Sequence, residues 1–141
     1  MENLNIGISF SGGGYRAATF HLGTLSFLNS IIVGDSHTLL DCISVMSTVS
    51  GGTITGLKYM LALAQKQDIN AMVRELFDFL YKEDLIEDAF ANIEKGRTGH
   101  GASLIKIMAS IYDAKLFNHS VMGNLMDCIN DIPIKHFSAN A

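Results

Sequence analysis

The feature that most constrains this chain is a strand, glycine loop, helix and second strand in close succession near its N-terminus. Ile6-Gly7-Ile8-Ser9-Phe10 alternates along a short run rich in β-branched and aromatic side chains, the pattern of a strand. It runs into Ser11-Gly12-Gly13-Gly14, where a tight loop forms easily. From Ala17 to Leu28 the residues are apolar nearly all round, so a helix there is covered on more than one side. Gly23 inside it is expected to mark a close packing contact. The connector from Ser30 to Thr38 holds the turn signal Gly34-Asp35-Ser36, and Cys42-Ile43-Ser44-Val45-Met46 reads as the second strand. Such a unit joins two parallel strands through a right-handed crossover and opens an α/β domain.

In a parallel unit the C-terminal ends of both strands lie on one edge of the sheet. The glycine loop should therefore meet whatever follows the second strand, which is Ser47-Thr48-Val49-Ser50-Gly51-Gly52-Thr53. A serine on a sharp strand-to-helix turn is exposed and can act as a nucleophile, and Gly51 and Gly52 permit the turn. The pattern for such an elbow is G-x-S-x-G, and Thr48 stands where its first glycine would be. Taken alone, Ser47, Thr48 and Ser50 also read as helix N-caps. The loop Gly12-Gly13-Gly14-Tyr15-Arg16-Ala17 has two readings as well. Its backbone N–H groups and the helix N-terminus behind them suit an oxyanion or a phosphate. Gly12-x-Gly14-x-x-Ala17 fits the dinucleotide fingerprint, but the acid at about the right distance, Asp35, precedes the second strand when it should follow it.

Together the two motifs resemble the patatin-like phospholipase family. Gly12-Gly13-Gly14-Tyr15-Arg16-Ala17 is similar to its oxyanion motif G-G-G-x-[RK]-G, and Thr48-Val49-Ser50-Gly51-Gly52 to its nucleophile motif G-x-S-x-G. Ala17 and Thr48 replace glycines, and the resemblance is good over about residues 5 to 60. It implies an α/β fold with a parallel sheet in three layers, here incomplete and helix-rich after the second strand. It implies a lipid acyl hydrolase of the phospholipase A type with a Ser–Asp dyad and no metal or organic cofactor. Ser50 would be the nucleophile, the amides of Gly12, Gly13 and Gly14 the oxyanion hole, and Arg16 the support of that loop. The partner implied is a lipid or phospholipid, met in transient contact with a membrane surface. The family's base is an Asp in a D-G-[GA] motif, and this sequence has no Asp-Gly pair. Phe137-Ser138-Ala139-Asn140-Ala141 is similar to a family strand that precedes that aspartate. The expectation is therefore the N-terminal portion of one catalytic domain, residues 1–141, inactive alone and prone to associate through exposed apolar surface.

The remaining chain reads as mostly helical. Helices are expected from about Gly51 to Lys66, after the cap Asp68 with Ile69, Met72, Val73, Leu76 and Leu80, and around Ile86, Ala89, Phe90 and Ile93. Ser103 and Asn118 read as caps of two further helices, Arg97-Thr98-Gly99-His100-Gly101 as a mobile loop, and Ile134 to Phe137 as the start of a strand. A Ser50-Asp113-His119 triad, or one using His136, is a rival mechanism without a supporting motif. The alternatives to a hydrolase are a nucleotide-binding module that uses the Gly12–Gly14 loop and an inactive lipid-binding remnant. A net charge of −4 with scattered basic residues gives no support for nucleic-acid binding. Cys42 and Cys128 read as buried small hydrophobes, without metal-ligand spacing. With no signal peptide and no long apolar run, the expected location is the cytoplasm.

Overall fold

In the computed structural model, residues 4–34, 36–82, 87, 91, 104–128 and 130–140 are described. Strand β1 (Ile6–Phe10) is followed by α1 (Gly14–Ser30), a two-residue-by-two-residue hairpin of β2 (Ile32–Val33) and β3 (His37–Thr38), and a 3₁₀ turn at Leu40–Cys42. Strand β4 (Ile43–Val49) leads into α2 (Gly51–Ala64) and α3 (Ile69–Lys82). Helix α4 (Leu104–Tyr112), a π-helical turn (Asp113–Phe117), α5 (Met122–Cys128) and β5 (His136–Asn140) complete the description. The expected helix around Ile86 to Ile93, the loop Arg97–Gly101 and the cap Ser103 lie outside the described residues.

β1 and β4 pair in parallel, as the strand-loop-helix-strand pattern requires, and β5 adds a third parallel strand on the far side of β4. β4 runs three residues further than its apolar pattern, because Thr48 still pairs with Phe10 and Val49 with Asn140. Helix α2 lies along one face of the sheet, where Gly56 leaves room for Met46, Thr48 and Phe137. Helices α1 and α3 pack against α2. Leu22 and Leu25 of α1, Ile43 and Met46 of β4, Tyr59 and Met60 of α2 and Met72 and Leu76 of α3 meet in one core. On the opposite face Gly7, Ser9, Val45 and Val49 are exposed.

Several local readings change. α1 starts at Gly14, ahead of the apolar run, because Gly13 at φ 139° and Gly14 at φ 59° turn the chain straight from loop into helix. Gly23 faces open space and marks no packing contact. Asp68 does cap α3, its carboxylate accepting from the Ala71 amide at 2.9 Å. Asn118 is not an N-cap: it is left-handed at φ 48°, ends the π-helical turn, and leaves α5 to begin at Met122. Cys42 and Cys128 are free thiols and only half-buried.

Candidate active site

The sheet's C-terminal edge is where the glycine loop and Ser50 come together, and three glycines show how closely. A Cβ on Gly12 would lie 3.0 Å from Val49 Cγ1 and 3.3 Å from Ser50 Cβ. One on Gly52 would lie 2.7 Å from the carbonyls of Phe10 and Ser11, and one on Gly51 would collide with the Gly14 backbone. Real Cβ atoms do not approach backbone as closely as those on Gly51 and Gly52 would, so loop and elbow touch because these two positions carry no side chain, and Gly12 adds a tight fit.

Ser50 stands between the end of β4 and the first residue of α2, at φ 50° and ψ −120°. A left-handed serine is an uncommon backbone state, and it lifts an exposed side chain out of the strand direction. The same residue is the N-cap of α2, without a side-chain capping bond, so its hydroxyl is not spent on the helix. The N-terminus of this 14-residue helix adds a positive potential at the site. Ser50's own amide donates to the Asn140 carbonyl at 2.9 Å and is therefore not available to an anion. Donors for an anion beside Ser50 must come from elsewhere, and the Gly12–Gly14 loop is adjacent. Arg16 is exposed on the first turn of α1, two residues past Gly14.

His21 anchors the loop. It is buried, its Nε2 lies 3.1 Å from the Ser11 carbonyl and 3.3 Å from Ser11 Oγ, and its ring stacks on Phe10 at 4.4 Å. Its place on the buried stripe of α1 with Ala17, Ala18, Leu22 and Leu25 is the signal that marks it. Groups with shifted titration lie elsewhere. Burial pushes the Tyr59 phenol well above its ordinary range, and the Asp41 charge adds to this. On α3, Glu75 is held below the usual carboxylate value by its hydrogen bond from Gln67 and by Lys58, with which it forms a 3.1 Å ion pair.

The rival triad is not assembled. Asp113 and His119 do pair, at 2.6 Å, but His119 lines a cavity with Ala64 and Gln65 at the C-terminal end of α2. Ser50 caps the other end, and a helix of 14 residues is about 21 Å long. His136 pairs with Val45, so it sits near the opposite end of the strand from Ser50, about 15 Å along it. The dinucleotide reading gains no acid at the strand end. Asp35 lies outside the described residues, and Ser50 stands at the strand end where a ribose-binding acid is needed.

The sequence matches the family model described as patatin-like phospholipase over residues 8–126, which takes in the glycine loop, the Ser50 elbow and most of the helices. The chain belongs to the patatin-like phospholipase family. Neither the curated proteins nor the solved structures gave a match. Membership in the patatin-like family makes lipid acyl hydrolysis the general class of activity. Among the described residues of this patatin-like chain, no helix is long and apolar enough to cross a membrane. No group of three or more His, Cys, Asp or Glu among them is placed to hold a metal ion.

Proposed function

We propose that this patatin-like chain carries the nucleophile and oxyanion hole of a phospholipase A-type ester hydrolase, with Ser50 as the attacking residue. The observation that carries the reading is the left-handed Ser50, exposed beside Gly12 and Gly14 at the N-terminus of α2. A base takes the Ser50 proton as Oγ attacks the acyl carbonyl of the lipid. The carbonyl oxygen becomes an oxyanion held by amides of the Gly12, Gly13 and Gly14 loop, donors of a kind worth about 3 to 4 kcal/mol of barrier each. Collapse of the tetrahedral intermediate breaks the ester bond, and the leaving alcohol takes the proton back from the base. Water then cleaves the acyl-enzyme by the same steps. Arg16 and His21 keep the loop in place, and no cofactor takes part.

The base is proposed to be an aspartate from outside residues 1–141. Four of the described aspartates are committed elsewhere: Asp41 to Thr38, Asp68 to the Ala71 amide, Asp78 to Lys82 and Asp113 to His119. Asp131 precedes β5 and so lies at the other edge of the sheet. Hydrolysis of a fluorogenic phospholipid tests the reading, with the protein ending at Ala141, a form extended beyond it, and Ser50→Ala in both. Turnover by the extended protein that Ser50→Ala abolishes supports it. Lipid binding without turnover favours an inactive remnant, and dinucleotide binding favours the nucleotide reading.

A further inference from the structure

The residue that breaks the elbow pattern is built into the site. Thr48 stands where the motif has glycine, and it is only 2% exposed. Its methyl fills the notch left by Gly56, whose Cβ would come within 2.6 Å of it. Its hydroxyl donates to the Ser138 carbonyl at 3.1 Å, and its oxygen also lies 3.1 Å from the Thr53 hydroxyl. Thr53 Oγ1 is in turn 3.0 Å from the Asn140 carbonyl, so its single proton sits between two acceptors. That same carbonyl receives the Ser50 amide at 2.9 Å. Asn140 closes the ring, with Nδ2 at 3.3 Å from both the Thr48 carbonyl and Ser138 Oγ.

We propose that Thr48, Thr53 and Asn140 form a clasp that holds Ser50 in its left-handed conformation, with the Thr53 hydroxyl as the positioning group. A non-glycine residue at positive φ relaxes toward ordinary backbone angles unless its surroundings over-determine it. Here Ser50 is gripped on both sides: its amide by the Asn140 carbonyl, and its carbonyl by the Thr53 amide at 2.8 Å. Thr53 reaches the first of these grips through its hydroxyl and supplies the second through its backbone. The three residues come from α2, β4 and β5, so the clasp ties the nucleophile to the third strand as well as to its own. Thr53 does not touch the reacting atoms; it acts through the backbone of Ser50. The catalytic consequence rests on the hydrolase reading above, whereas the conformational one does not.

Thr53→Val keeps the branched shape and removes the hydroxyl, and Thr53→Ser restores it. Two readouts separate the two levels: hydrogen exchange of the Ser50 amide, and the rate of labelling by a fluorophosphonate beside kcat and KM on a lipid ester. The Val variant should exchange the Ser50 amide about tenfold faster and label about tenfold more slowly, with KM unchanged and the Ser variant close to wild type. Thr48→Val, which keeps a methyl in the Gly56 notch, should move both readouts the same way and serves if Thr53→Val does not fold. Unchanged Ser50 exchange in these variants overturns the clasp, whether or not the wild type labels. Faster exchange in a form extended beyond Ala141 whose wild type never labels leaves the clasp standing and overturns the hydrolase reading instead.

Discussion

Replacing Gly51 with alanine probes the contact on which the site depends. The added Cβ would collide with the Gly14 carbonyl and lie 2.8 Å from its nitrogen and 2.9 Å from its carbonyl carbon. Ordinary carbon contacts begin near 3.5 Å and carbon–oxygen contacts only slightly closer, so clearing the carbonyl oxygen requires loop and helix to separate by roughly 1 Å. The obstacle is backbone, which cannot swing aside as a flexible side chain can. If the loop retreats, its amides leave the position proposed for the oxyanion; if α2 retreats, it takes Ser50 with it. Overpacking of this kind costs about 1 to 3 kcal/mol of stability. A misplacement of about 1 Å at a reacting centre costs about a hundredfold in rate. We therefore expect Gly51→Ala, in the form extended beyond Ala141, to fold with a lower urea midpoint and to react with a fluorophosphonate about a hundredfold more slowly. Circular dichroism establishes the fold, and labelling is measured below the unfolding transition. A folded Gly51→Ala that labels within twofold of wild type would refute the reasoning.

Gly23 offers the opposite case, since its Cβ would meet nothing within 4 Å in the middle of α1. Gly23→Ala should stabilise the protein by about 0.5 to 1 kcal/mol in a denaturant titration, with labelling unchanged. His119→Ala, which a triad would not survive, should leave the labelling rate of Ser50 within twofold of wild type. Glu75 gives an acid-range prediction. Its folded pKa lies below the ordinary value of 4.5, so its contribution is complete above that value and is lost as pH falls through the folded pKa. The stability gap between wild type and Glu75→Gln should thus be widest near neutrality and narrow as pH falls below 4.5 in urea titrations, and it should be small because Glu75 is 53% exposed.

The parts of this molecule that were legible in the sequence are those set by local chemistry. The alternation of Ile6 to Phe10, the glycine run and the apolar helix together demand a parallel βαβ unit, and its topology alone brings Gly12 and Ser50 to one edge. Asp68 as a cap follows from its place before an amphipathic run. What was not legible depends on partners distant in sequence. The hairpin β2–β3 has strands of two residues each, too short for any periodicity to show. Asn118 has the composition of a cap, yet the adjacent π-helical turn places it at φ 48°, where it ends one element and begins none. Thr48 looked like a defect in a motif, and only the position of β5, some ninety residues later, shows which carbonyl its hydroxyl meets. His21 shows in the sequence only as one more residue on the buried stripe of α1, with nothing to say that it meets Ser11, and no pattern along the chain announces the contacts of Thr53 to Thr48 and Asn140.

Where a serine-reactive probe attaches tests the role of Ser50 most directly. The protein extended beyond Ala141 should be treated with a fluorophosphonate, digested, and mapped by mass spectrometry beside its Ser50→Ala variant. A single adduct on the peptide bearing Ser50, absent from the variant, is expected of a Ser50 nucleophile. A folded protein that takes no adduct, or one whose adduct persists in Ser50→Ala, would contradict it.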